Sequence, residues 1–163
     1  MAYVIKAVIA SKSDFEHFKR QALVRVVELP QSYCMIPLTW ELLRSIYDQS
    51  DSDSYIPGFM YLKESIVAWL AKGFYFGTFA LLENDTFGGL GEQSSLVWKD
   101  GKYVFGPIHT ETNVCQPYTD LNVALVDAAM NQALRVLGVT KETDDEFHAL
   151  GLGKYKDTEK WVV

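Results

Sequence analysis

Apolar and polar positions alternate between two periods along this chain, and the switches mark its elements. Tyr3-Val4-Ile5-Lys6-Ala7-Val8-Ile9 is a short β-branched run closed by a polar cluster, which predicts a strand. Ser13-Asp14-Phe15-Glu16 has capping-box spacing and predicts a helix through about Gln21, with Phe15 and Phe18 on one face. Residues 23–29 and 32–38 read as two further strands, closed near Pro30 and Pro37. Thr39 is placed to cap a helix whose Trp40, Leu43, Ile46 and Tyr47 recur at helical spacing. The polar run from Asp48 to Ser54 predicts a surface loop.

A second apolar set, Ile66, Trp69 and Leu70, predicts a helix over 62–72, ended by Gly73 in the left-handed conformation. Residues 74–82 are aromatic and aliphatic and predict a central strand. Asp100-Gly101 between Ser95–Lys99 and Lys102–Phe105 predicts a two-residue hairpin, because both turn residues tolerate positive φ. The longest helical period runs over 120–137 and stops at Gly138. A second capping box, Thr143 to Glu146, opens a short helix carrying Phe147 and Leu150 and ending at Gly151. Tyr155 and Trp161 imply that the charged tail docks. The pattern predicts one domain over 1–163 of the α+β class: a single antiparallel or mixed sheet with helices packed mainly on one face.

Length and composition sharpen this. With 163 residues, 48% hydrophobic and 13% aromatic, the chain can bury a core without disulfides or metals. Its net charge of −6 argues against nucleic-acid binding, which rests on basic side chains displacing counterions. The charge is uneven, +1 over residues 1–50 (6 basic, 5 acidic) and −7 over 51–163 (9 basic, 16 acidic). A charge-steered partner is therefore expected to be basic and to meet the later part of the chain. Cys34 and Cys115 read as reduced thiols. The absence of a basic leader or an apolar run of about 18 residues predicts a cytoplasmic protein that makes no use of a membrane.

The least ordinary chemistry lies between Glu83 and Gln93, read as a glycine-shaped loop that presents Glu83, Asp85 and Glu92 beside Phe87, with Trp98 in the following strand. These five residues are the candidate binding site. No catalytic residue, cofactor or metal site is assigned. His109-Thr110-Glu111 matches half of a zinc-deaminase pattern, but Cys115 has no partner cysteine in register, and His17, His109 and His148 are dispersed. Cys115 with His109 as base lacks an orienting group and an oxyanion hole. The glycines lead into a hairpin instead of a helix, so they do not form a phosphate loop.

The segments Phe87-Gly88-Gly89-Leu90-Gly91-Glu92-Gln93 to Trp98, Leu150-Gly151-Leu152-Gly153 and Thr158-Glu159-Lys160-Trp161 resemble a group of uncharacterised small bacterial proteins with the pattern Phe-Gly-Gly-x-Gly-x-Gln…Trp, Leu-Gly-Leu-Gly and Thr-Glu-x-Trp. That resemblance implies no activity and transfers no functional residues. In size and acidity the chain is also similar to immunity proteins that neutralise polymorphic bacterial toxins. The leading expectation is a non-catalytic cytosolic binding protein that occludes a basic protein partner, plausibly as an immunity protein. The alternatives are a small hydrolase or transferase using the carboxylates, and a homo-oligomeric structural module.

Overall fold

A computed structural model of the chain describes residues 3–18, 21–49, 53–87, 90–113, 128–142 and 145–163. Six strands form one antiparallel sheet: β1 (Tyr3–Ser11), β2 (Val27–Leu29), β3 (Tyr33–Pro37), β4 (Thr78–Phe87), β5 (Leu90–Lys99) and β6 (Lys102–Asn113), in the order β2-β3-β1-β4-β5-β6. The helices are α1 (Lys12–Glu16), α2 (Trp40–Tyr47), α3 (Glu64–Phe74), α4 (Ala129–Leu137) and α5 (Glu146–Ala149). The chain is thus α+β with a single antiparallel sheet, as the periodicity predicts. Among the described residues no helix is long and apolar enough to cross a membrane.

Successive side chains on a strand point to opposite faces, so β1, β3, β4 and β5 each feed two cores. Val8, Ala10, Ile36, Leu81 and Leu96 pack with Phe15 of α1, Leu42, Leu43 and Ile46 of α2, and Ile66, Leu70 and Phe74 of α3. Ile5, Ala7, Ile9, Ala80, Leu82 and Val97 pack on the opposite face with Met130, Ala133 and Leu134 of α4, and with Leu150 and Trp161. Among the described residues, three of the five α-helices therefore share one face.

Local chemistry fixes most helix ends. The Thr39 hydroxyl accepts from the Leu42 amide at 3.3 Å, as its cap position predicts. Asp145 caps α5 by accepting from the His148 amide at 2.8 Å, and Gly138 closes α4 with φ of 110°. The α4 N-terminus has no capping side chain of its own. The sheet supplies two: Thr110 and Gln93 accept from the amides of Ala129 and Met130 at 2.9 and 3.2 Å. At the turn between β5 and β6, Asp100 and Gly101 both take positive φ, 51° and 83°, matching the expected hairpin.

Several boundaries differ from expectation. Helix α1 is capped by Ser11 and not Ser13, and it ends at Glu16. Gly73 lies inside α3, where a Cβ would collide with the Phe18 ring; Tyr75 takes the positive φ, 57°. The Asp48–Ser54 run is tied down at Asp53, whose carboxylate accepts from the Ser65 amide at 3.1 Å and caps the first turn of α3. The expected helix over 120–137 is observed from Ala129, and residues 120–127 and Cys115 lie outside the described residues.

The largest correction concerns 83–93. The stretch read as an exposed loop is paired strand over its described residues: Glu83, Asn84, Asp85, Thr86 and Phe87 face Ser94, Gln93, Glu92, Gly91 and Leu90, while Gly88 and Gly89 of the expected glycine loop lie outside the described residues. Polar side chains are carried in strands when the surface they face is polar, and here it is.

Candidate functional site

Two rows of side chains cross the sheet where the helical cover of α1–α3 stops. Lys6, Glu83, Ser94 and His109 are direct cross-strand partners over β1, β4, β5 and β6. One step further along, Val4, Asp85, Glu92 and Glu111 form the second row. Both rows lie on the same face as Val8, Leu81 and Leu96, because they are displaced from them by two or four residues. One face of one sheet therefore has an apolar half under helices and a polar half.

The polar half is covered by a loop, residues 55–63, whose ends meet: Tyr55 bridges Lys63, and the Ile56 amide donates to the Leu62 carbonyl at 3.0 Å. Ile56, Phe59 and Leu62 anchor the loop in the core. The middle of the loop has backbone amides with no partner within it. Glu83 supplies one. Its carboxylate accepts from the amides of Met60, Tyr61 and Leu62 at 2.5, 2.9 and 3.1 Å, and the residue is 3% exposed. Burial pushes the Glu83 carboxyl above its ordinary range, while the three amides and the nearby Lys6 charge pull it back. Glu83 is a brace, inaccessible to any partner.

Lys6 is 1% exposed, with its ammonium 4.1 Å from the centre of the Trp40 ring and 5.4 Å from that of Tyr61. Burial lowers its pKa, opposed by Glu159, Asp157, Glu83 and Asp85. The final turn of the chain reaches this spot. Where β3 stops at Pro37, the freed edge of β1 is taken by the tail: the Val4 amide donates to the Lys156 carbonyl at 2.9 Å and the Lys6 amide to the Thr158 hydroxyl at 3.0 Å. Glu159 accepts from the Trp40 amide at 2.8 Å. Sequence reasoning passed over Lys6, although a lysine in phase with Val4 and Val8 inside a β-branched run was its signal.

Outward from this buried pair the polar half opens into a cavity of about 380 Å³ lined by Met60, Asp85, Phe87, Gly91, Glu92 and Glu111. Asp85 accepts a short hydrogen bond from the Tyr61 hydroxyl. That bond, followed by burial and the Asp85 charge, raises the Tyr61 phenol to about 12. Phe87 is 74% exposed at the cavity rim. Across the strands His109 Nε2 lies 4.0 Å from Glu92 and 3.7 Å from Glu111. Its Nδ1 lies 2.9 Å from the Ser94 hydroxyl, which in turn donates to the Gly58 carbonyl at 2.6 Å.

Of the five expected site residues, Asp85, Phe87 and Glu92 share this cavity. Glu83 lies beneath it. Trp98 sits at the far end of β5, stacked on Phe79 and edge-on to Tyr103, where it completes the apolar core. Met60, His109 and Glu111 belong to the site through the loop and the strand pairing, which spacing along the chain does not display. No family model matches the chain, and no curated protein or solved structure matches it significantly.

Proposed function

We propose that the chain is a non-catalytic cytosolic binding protein that uses the acidic cavity to hold a basic side chain of a partner protein, in the manner of an immunity protein. The observation that carries this reading is the convergence of Asp85, Glu92 and Glu111 on one cavity with Met60 and the exposed Phe87. A lysine or arginine has the matching form, an apolar stem ending in a cation. The apolar lining takes the stem, and the carboxylates take the charge. The −7 carried by residues 51–163 speeds encounter with a basic surface, and Phe87 supplies an aromatic anchor once water is excluded. Of the carboxylates named for the hydrolase alternative, Glu83 is committed to three amides.

The test places a photo-crosslinking residue at Phe87 in the source cell, in the native background and with D85N, E92Q and E111Q together. The expected product is one basic protein, its yield falling at least tenfold in the triple variant. Cells making the native chain should survive production of that partner where cells making the triple variant do not. Equal capture and equal protection by a folded triple variant would sink the reading.

A further inference from the structure

We propose that Glu92, His109 and Glu111 form a binding site for a divalent transition-metal ion of the zinc type. One ligand atom from each lies within 4.8 Å of the other two, and the two separations from His109 Nε2 are 3.7 and 4.0 Å. Ligands about 2.1 Å from a tetrahedral zinc are about 3.4 Å from each other, so the donor atoms must draw together by up to about 1.4 Å, a movement that side-chain rotation of Glu92 and Glu111 can supply. The backbone needs no movement. Glu92 and Glu111 are direct cross-strand partners, and His109 stands two residues from Glu111 on the same face.

The second support comes from outside the cluster. The Ser94 hydroxyl has one hydrogen, and the Gly58 carbonyl 2.6 Å away receives it. Toward His109 Nδ1, Ser94 is therefore the acceptor, so Nδ1 carries the ring proton. In the neutral tautomer that this bond selects, the lone pair of Nε2 faces two carboxylates. One divalent cation placed among the three groups can take a donor atom from each. A histidine oriented by a hydrogen bond from its second nitrogen is the usual companion of a bound metal. The imidazole nitrogen favours a transition metal over magnesium or calcium, which prefer all-oxygen shells. The remaining coordination positions face the cavity that Asp85 also lines.

The half-motif His109-Thr110-Glu111 thus finds its third ligand on the neighbouring strand instead of in a downstream cysteine pair. This inference stands apart from the partner reading, and the chain alone tests it. Because a divalent ion would offset the charge of two cavity carboxylates, zinc and a basic partner should compete.

Isothermal titration of the purified, reduced full chain with zinc chloride is expected to show one saturable equivalent. The same equivalent should persist in a C34S/C115S variant. H109A and E92Q/E111Q should each weaken it at least tenfold with unchanged circular dichroism. S94A, which removes the acceptor that orients the His109 ring, should weaken it by about 10-fold, the lower end for loss of a ligating histidine's hydrogen-bond partner. Cobalt in place of zinc should give visible d–d bands that H109A abolishes. No saturable equivalent, or one that H109A and E92Q/E111Q leave unchanged, would overturn the proposal.

Discussion

The two halves of one sheet face are built from the same strands yet are held in opposite ways. Over Val8, Leu81 and Leu96 the cover is helical, its backbone satisfied internally, and the contact is apolar packing. Two residues further along, over Lys6, Glu83 and Ser94, the cover is an irregular loop whose amides need acceptors. One buried carboxylate satisfies three converging amides, and its charge joins those of Glu159 and Asp157 in offsetting the burial of Lys6. The lesson is that the polarity of the cover decides the polarity of the strand beneath it.

The sharpest break in the comparison is at Glu83. Glu83→Ala leaves three buried amides without their acceptor and removes one of the negative charges near Lys6, and is expected to cost about 3–5 kcal/mol in urea unfolding. Lys6→Met should cost less, because the amides still hold Glu83. Leu81→Ala, in the apolar half, should cost about 2–5 kcal/mol. An E83A penalty below 1 kcal/mol would remove the brace. A smaller effect separates the halves by pH. Tyr61 keeps its proton to about 12, above the value near 10 of an unfolded tyrosine. Its contribution is complete below pH 10 and is lost as pH rises to 12. Tyr61→Phe should reduce the alkaline loss, as followed by denaturant midpoints across the interval, while the other raised tyrosines, Tyr103 among them, keep their share of it. The smallest expected effect is Glu111→Gln, whose side chain is 74% exposed: within about 0.5 kcal/mol in the same unfolding assay, so that any change in binding reports the cavity and not the fold.

How much of this was legible follows from where each signal lies. The Asp100-Gly101 turn, the Thr39 cap and the Gly138 stop are local, set by a residue's own φ or by a hydroxyl three residues from its amide, and they read correctly. Glu83 and Asp85 misread because their carboxylates answer a loop some twenty residues upstream, which no local window contains. Gly73 misread for a similar reason: the ring that requires it is Phe18. The candidate site divides the same way. Asp85, Phe87 and Glu92 stood out as unusual chemistry in one segment, whereas Lys6, Met60, His109 and Glu111 join them only through sheet register and loop closure.

The tail has a consequence for solubility. Between Val4 and Lys6 the first strand would present bare peptide groups where β3 has ended, and an open strand edge recruits strands from other molecules. Thr158 and the Lys156 carbonyl occupy that edge. The closing turn is thereby a guard against edge-to-edge aggregation, and loss of residues 156–161 would turn a working strand into a seed for assembly.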